Sequence, residues 1–335
     1  MREANSGVQL PRIWVLATGG TIAGSATPGA KTRYTAGVLE PEALVAAVPG
    51  IDRIATLQTE QVASVGSQNM THDVWCTLAQ KVRTLSQRDD VDGIVITHGT
   101  DTLEETAYFL SLVSSSEKPI VLVGAMRPAS ALSADGPGNL ARAIALAGSS
   151  VASGRGPLVI MNDTIHSARN IQKIRSSGLE AFGSPARGPV GIMLGLTPQF
   201  YDRPSPFSAP FQNLDLSGND LPDVAIVYAH AGVDGRLIDC AASWAAGIVL
   251  AGVGEGNATD LAWAALQAAQ KRGVAVVRAS RCAAGFVARN GEVDDMQLGT
   301  VAAGDLNAPK ARILLMLALT QTRDPGLIQK FFEEF

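Results

Sequence analysis

Residues 13–24 read IWVLATGGTIAG, a short apolar run that ends in two glycines between two threonines. The run from Ile13 to Leu16 predicts a buried strand. One glycine is enough to turn the chain at the end of a strand. The second glycine, and the hydroxyl of Thr21 directly after it, therefore indicate that this turn does more than change the direction of the chain.

Similar apolar runs recur along the chain and alternate with helix-like stretches. Strands are predicted at 13–18, at the runs that start at 93, 119, 157 and 190, and at 224–230, 247–253 and 274–280. Helices are predicted at 71–86, 101–114, 138–149, 235–246, 259–272 and 309–322. The strand runs are continuously apolar, which is typical of parallel strands covered on both faces. The sequence therefore predicts an α/β fold.

A stretch rich in proline interrupts this alternation. Residues 197–222 read TPQFYDRPSPFSAPFQNLDLSGNDLP and show little periodicity, which is typical of a linker. We therefore predict a larger N-terminal domain with a mostly parallel sheet at 1–196. An interdomain linker follows at 197–222, and a smaller C-terminal parallel α/β domain at 223–335.

Composition and charge narrow the functional classes. The chain has 335 residues, 46% of them hydrophobic and 17% charged, which is ordinary globular composition. Its net charge of −4 favours no nucleic-acid partner. The longest apolar stretch, 241–254, is too short to span a membrane, and no signal peptide is visible. We predict a cytoplasmic protein, or a periplasmic one if a leader has been removed.

Cysteines and histidines form no recognisable framework. The cysteines are three in number and far apart, so no disulfide is predicted. The four histidines lack metal-ligand spacing, so no metal site is predicted.

Four motifs follow predicted strands, where ligands bind in such folds: TGGT, THGTD, MNDT and GVGEGN. In THGTDTLEET (97–106), the pairs Asp101/Glu104 and Thr102/Glu105 match a capping box, but a helix N-terminus can also bind a substrate carboxylate or an oxyanion. In GVGEGN (252–257), Asn257 stands where a dinucleotide fingerprint needs its third glycine, so no NAD is predicted.

The nucleophile is left open by the residues alone. The chain has no G-x-S-x-G element, and no cysteine stands in an evident nucleophile setting with a histidine partner. The remaining candidates are the hydroxyls of Thr18, Thr21 and Thr100, each of which would need an activating base.

Taken together, the motifs resemble those of the bacterial type II L-asparaginases and the related glutaminase-asparaginases. ATGGTIAG and HGTDTLEETAYFL are similar to the two signature segments of that family. VGSQNM, VGAMRP, SADGPGNL, MNDT, AGVGEGN, EVDD and LNAPKAR follow in the order of the family, from about residue 11 to the C-terminus.

The resemblance implies catalytic roles. It makes Thr21 the nucleophile and Tyr34 the residue of a mobile lid that assists its deprotonation. It makes Thr100, Asp101 and Lys173 a second catalytic group. A free tyrosine has a pKa of about 10 and is a weak base at neutral pH, whereas burial favours the basic form of a lysine. Residue types alone therefore leave open which threonine attacks first.

The resemblance also implies how substrate is held. Ser67, Gln68 and Asp101 match residues that bind the α-carboxylate and α-amino group of an amino acid. Asn257 and Glu292 match residues that a neighbouring subunit supplies. Family members are homotetramers, dimers of dimers with active sites at subunit interfaces, and they use no cofactor.

The predicted function is hydrolysis of L-asparagine to L-aspartate and ammonia through an acyl-threonine intermediate, with some activity on L-glutamine. One alternative is a glutaminase-asparaginase that prefers glutamine. A less favoured alternative is a non-catalytic amino-acid-binding protein, since two α/β domains with a linker also describe a ligand clamp.

Overall fold

The structure is a computed structural model that describes residues 9–26, 34–35, 37–204, 207–218 and 220–335, with the backbone alone at 25–26 and 34–35. Its strands, numbered in chain order, are β1 (Arg12–Gly19), β2 (Ser25–Ala26), β3 (Tyr34–Thr35), β4 (Thr56–Val65), β5 (Gly93–Thr97), β6 (Ile120–Val123), β7 (Pro157–Met161), β8 (Thr164–Ser167), β9 (Gln172–Lys173), β10 (Phe182–Gly183), β11 (Gly191–Leu194), β12 (Thr197–Phe200), β13 (Val224–Tyr228), β14 (Gly247–Gly252), β15 (Ala275–Ser280) and β16 (Val301–Ala302). Its α-helices are α1 (Pro41–Ala46), α2 (His72–Ser86), α3 (Leu103–Val113), α4 (Gly136–Ala147), α5 (Arg236–Ala241), α6 (Asp260–Lys271), α7 (Asp295–Leu298), α8 (Ala308–Ala318) and α9 (Pro325–Glu334).

The larger domain is built on one sheet in the order β12-β11-β8-β7-β6-β5-β1-β4. The strands β4, β1, β5, β6 and β7 are parallel to one another in that order. The strands β8, β11 and β12 continue the sheet from β7 as an antiparallel edge. In β5, Ile94 and Ile96 pack in one apolar cluster with α2 and α3, while Val95 packs in another with α4. Every residue of β5 is therefore buried, which is why its sequence is continuously apolar.

The smaller domain holds a parallel sheet in the order β13-β14-β15-β16. One face of this sheet packs against α5 and α6. The other face packs against α8, whose residues share a single apolar cluster with α3 of the larger domain. The predicted fold class, a larger mostly parallel domain and a smaller parallel α/β domain, is confirmed.

The sequence prediction missed β4, which lies at the edge of the large sheet. Its sequence, TLQTEQVASV, has four exposed and six partly buried positions and lacks a continuous apolar run. It pairs with β1 in parallel from Thr56 to Gln61, and the register then shifts before Gly19 meets Val65. This shift brings the end of β4 against the glycines that end β1.

The segment between the two sheets is anchored to the larger domain. Arg83 on α2 donates hydrogen bonds to the carbonyls of Val113, Phe211 and Leu214. Phe211 and Leu216 are buried. The division of the chain at residues 196 and 222 stays a prediction.

Two further observations bear on the predicted classes. Across the part of the chain that the structure describes, no helix has the length and apolarity that crossing a membrane requires. The three cysteines are free; Cys76 is buried, and Cys240 and Cys282 are exposed.

Candidate active site

The two glycines that end β1 lie where three strand ends meet. Gly19 has φ of +100° and Gly20 has φ of +83°. A Cβ atom on Gly20 would lie 2.3 Å from the Cα and N atoms of Gly99, and one on Gly19 would lie 2.5 Å from the carbonyl oxygen of Val65. Both glycines are required because β1 touches the end of β4 on one side and the loop after β5 on the other. Thr21 follows at once, buried in a 3-10 turn.

Each glycine of this close approach is followed by a threonine. Thr21 comes directly after Gly20, and Thr100 comes directly after Gly99. Both threonines are buried, with 6% and 5% of their surface exposed. The hydroxyl of Thr18, the third candidate, donates to the carbonyl of Thr97 at 2.9 Å inside the sheet, which is a structural contact.

The prediction of a capping box at the start of α3 is wrong. Thr102 occupies the N-cap position, but its side chain accepts no hydrogen bond from the helix. Its hydroxyl instead donates to the carbonyl of Ser67 at 2.7 Å, while the Ser67 hydroxyl accepts from the backbone N–H of Asp101 at 3.1 Å. These side chains thus tie the turn after β4 to the loop after β5.

The structure brings Lys173 together with Thr100 and Asp101. The Lys173 Nζ atom lies 3.0 Å from Thr100 Oγ1 and 2.5 Å from Asp101 Oδ1. The lysine side chain is 15% exposed and the aspartate side chain 59%, so the ion pair opens to solvent at its carboxylate end. A hydroxyl bonded to a lysine that a carboxylate orients is an arrangement that activates a nucleophile.

Sequence reasoning missed the residue that binds the backbone of Lys173. Glu104 is buried, and its Oε2 atom accepts from the backbone N–H of Lys173 at 2.5 Å. Its Oε1 atom accepts from Asn307 Nδ2 at 2.8 Å. Lys310, in the first turn of α8, donates to the carbonyls of Arg169 and Ile171.

The position of Lys310 has an electrostatic consequence. Burial lowers the pKa of its ammonium to about 8. Through the hydrogen bonds of Asn307 and Lys310, the smaller domain also holds the segment that carries Lys173 in place. The motif LNAPKAR, which contains both residues, was the available signal.

A directed hydrogen-bond chain lies under the loop after β5. Trp75 Nε1 donates to Thr106 Oγ1 at 2.8 Å, and Thr106 Oγ1 lies 2.8 Å from His98 Nε2. His98 Nδ1 lies 2.7 Å from the carbonyl oxygen of Gly99. Because an indole can only donate, the chain is satisfied when His98 carries its proton on Nδ1 and donates to Gly99. Burial lowers the pKa of His98 to about 4, which keeps the ring neutral.

The two residues expected from a neighbouring subunit form a second group, on the smaller domain. Asn257 Nδ2 donates to Glu292 Oε1 at 2.7 Å. Gln68 is exposed, beside Ser67 in the turn after β4. The side chain of Tyr34 lies outside the described residues; its backbone in β3 pairs with Ala26 of β2.

Fold and site together define a class: two-domain α/β enzymes in which a lysine and a carboxylate meet a threonine hydroxyl at the carboxyl ends of parallel strands. Residues 12–206 match the family described as "Asparaginase, N-terminal", and residues 223–332 match the "Glutaminase/Asparaginase C-terminal domain". The chain belongs to the asparaginase family.

Three relatives illustrate the similarity. "L-asparaginase 2" of Escherichia coli (strain K12) is 44% identical over 340 residues, which cover 100% of this chain and 96% of the relative. "Probable L-asparaginase periplasmic" of Haemophilus influenzae is 44% identical, with 97% of this chain and 93% of the relative covered. "Glutaminase-asparaginase" of Pseudomonas fluorescens biotype A is 42% identical, with 100% and 93% covered.

Proposed function

We propose that this chain hydrolyses L-asparagine to L-aspartate and ammonia, with a lower activity on L-glutamine. Membership of the asparaginase family supports the reaction, and relatives named as asparaginases and as glutaminase-asparaginases support the two substrates. The observation that carries the proposal is the contact of Lys173 Nζ with both Thr100 Oγ1 and Asp101 Oδ1.

In the first half of the proposed reaction, the Thr21 hydroxyl oxygen attacks the carbon of the side-chain amide. Tyr34 takes the hydroxyl proton. The C–N bond then breaks, the nitrogen takes this proton from Tyr34 and leaves as ammonia, and the acyl group stays on Thr21 as an ester. The close packing of Gly20 on Gly99 supports this step because it fixes Thr21 beside the loop that carries Thr100.

In the second half, water attacks the ester carbon, the bond to Thr21 breaks, and aspartate leaves. The group of Thr100, Lys173 and Asp101 takes the proton of the attacking water. The contact distance of 3.0 Å between Lys173 Nζ and Thr100 Oγ1 supports this role because proton transfer requires hydrogen-bond reach. Thr21 regains its proton as the ester opens.

Ser67, Gln68 and Asp101 hold the α-carboxylate and α-amino group of the substrate. Asn257 and Glu292 complete this binding site from a neighbouring subunit of a homotetramer built as a dimer of dimers. The hydrogen bond that joins Asn257 to Glu292 supports their acting as one unit.

The experiment is ammonia release by the purified protein on L-asparagine and on L-glutamine, with Thr21→Ala and Thr18→Ala beside it. We expect release on asparagine to be lost in Thr21→Ala and kept in Thr18→Ala, whose hydroxyl makes a structural contact. Mass spectrometry of the protein quenched during turnover should show an acyl adduct on the peptide that contains Thr21.

The alternatives give different results in the same assay. A higher kcat/KM on glutamine would make the protein a glutaminase-asparaginase. Absence of release on both amides, with aspartate binding unchanged in Thr21→Ala, would make it a binding protein and contradict the proposal.

A further inference from the structure

A fully buried ion pair lies in the smaller domain, away from Thr100 and Lys173 along the chain. Arg278 on β15 is 0% exposed. Its Nε atom donates to Asp295 Oδ1 and its Nη2 atom to Asp295 Oδ2, both at 2.7 Å. The two side chains thus form a bidentate pair inside the protein.

Each partner of this pair also binds a loop. Arg278 Nη1 donates to the carbonyl of Glu255 at 2.7 Å, and Nη2 donates to the carbonyl of Ala288 at 3.1 Å. Asp295 accepts from the backbone N–H of Asn290 at 2.9 Å. The pair therefore fastens the turn at 252–257 and the loop at 288–295 to the same point of the sheet.

A gain in folding stability does not by itself explain why this ion pair is buried. Removing two charges from water costs several kcal/mol, and replacing a buried ion pair with apolar side chains is often neutral or stabilising. What such a pair supplies is a fixed geometry, since charged hydrogen bonds are directional and the partners have no alternative inside the core. The turn at 252–257 needs such fixing because Gly254 and Gly256 both have positive φ and no side chain with which to pack.

The two fastened loops are the ones that carry Asn257 and Glu292. The Asn257 amide is oriented by three contacts, since its Oδ1 atom accepts from Trp263 Nε1 at 3.2 Å and from the backbone N–H of Ala258 at 2.8 Å. Its Nδ2 atom is left to donate to Glu292. The geometry of this amide–carboxylate pair therefore depends on the relative position of the two loops.

We infer that Arg278 and Asp295 are positioning residues, which set Asn257 and Glu292 for substrate in the neighbouring subunit. This inference rests on the proposed function, in which Asn257 and Glu292 act across a subunit interface. Arg278 and Asp295 touch no substrate; they act through the two loops.

The first test separates positioning from stability. In the double variant Arg278→Met/Asp295→Asn both charges are removed, so no charge is left buried without a partner. We expect its thermal unfolding midpoint to stay within a few degrees of wild type and its KM for asparagine to rise at least tenfold. The control is Leu266→Ala, which opens a cavity in the core under α6; we expect a lower unfolding midpoint with KM unchanged. A double variant with wild-type KM overturns the inference, and so does a rise of similar size in the KM of Leu266→Ala.

The second test places the effect in the partner subunit. The double variant is co-expressed with Thr21→Ala, each chain carrying its own affinity tag, and the hybrids are purified on both tags. In a dimer that pairs one chain of each kind, one of the two shared sites combines an intact Thr21 with an intact smaller domain, so each such dimer should show about half of the wild-type activity at wild-type KM; dimers of two like chains should not show this recovery. A parallel hybrid of Thr21→Ala with Glu292→Gln tests the proposed interface itself.

The pattern of the two hybrids identifies which idea fails. Recovery in both supports the inference. Recovery with Glu292→Gln alone overturns the role of Arg278 and Asp295 and leaves the proposed function standing. Recovery in neither contradicts the shared site of the proposed function and, with it, the inference.

Discussion

Replacing Gly20 with alanine tests the central geometry of the site. Gly20 has φ of +83° and ψ of −173°, a region of backbone conformation that is essentially restricted to glycine. A Cβ atom there would lie 2.3 Å from the Cα and N atoms of Gly99. The obstacle is backbone, which cannot rotate away as a flexible side chain can.

The expected cost has two parts. Holding alanine in this conformation costs about 1–3 kcal/mol. Forcing an extra carbon into a packed site costs about 1–3 kcal/mol more. The total of about 2–6 kcal/mol is a large fraction of the 5–15 kcal/mol that separates folded from unfolded proteins. If the loops part instead, Thr21 moves away from Thr100, and a displacement of 1 Å can lower a rate by about 100-fold.

The matched control is Gly188→Ala. Gly188 has φ of +79°, close to that of Gly20, but a Cβ atom there meets nothing within 4 Å. This variant therefore places alanine at a similar positive φ without the overlap. Denaturant unfolding of both variants, together with kcat and KM for ammonia release, separates the two parts.

We expect Gly20→Ala to lose more stability than Gly188→Ala and to lose at least about 100-fold in kcat, while Gly188→Ala keeps wild-type kcat. Equal losses of stability in the two variants, with kcat retained in Gly20→Ala, would refute the reasoning that the second glycine serves the contact with Gly99.

Three further predictions concern the groups around this contact. Lys173→Met should lower kcat by about 100-fold or more with KM nearly unchanged, because it removes the amine that contacts Thr100; kcat retained within a few fold would contradict the assigned role. Glu104→Gln should lower both kcat and the unfolding midpoint, because one of its two acceptor oxygens becomes an amide that faces an N–H group; Glu105→Gln, its neighbour on α3, is the control that should keep kcat. His98 and His166 both have their pKa lowered to about 4 by burial, so between pH 6.5 and 4 the unfolded chain binds protons that the folded protein does not, and the free energy of unfolding should fall by about 3 kcal/mol for each histidine. Urea midpoints at pH 7, 5.5 and 4 measure this loss, and a flat profile over that range would contradict it.

Much of the fold could be predicted because the deciding strands are buried on both faces. Ile94, Val95 and Ile96 each face a different part of the core from their neighbour, so the run has no polar position to obscure it. The edge strand β4 was missed for the opposite reason: four of its ten positions are exposed and none is fully buried, and its sequence resembles a polar loop.

The site could be predicted only in part, because contacts between distant segments decide it. Asp101, Thr102 and Glu104 have the sequence of a helix cap, but their side chains and backbone bind Ser67 and Lys173 instead. No local pattern shows that Lys173 reaches Thr100 across 73 residues.

The anchored segment between the domains limits how the protein can move. In a two-domain clamp, ligand capture requires the connecting segment to bend freely and the domains to part. Here Arg83 holds that segment by its carbonyls, and one apolar cluster runs from α3 into α8. Parting the domains would expose that cluster to water, and the binding free energy of a small amino acid would not offset the free energy of exposing it. Substrate entry by movement of loops, with the two domains held together, therefore costs less than entry by parting the domains.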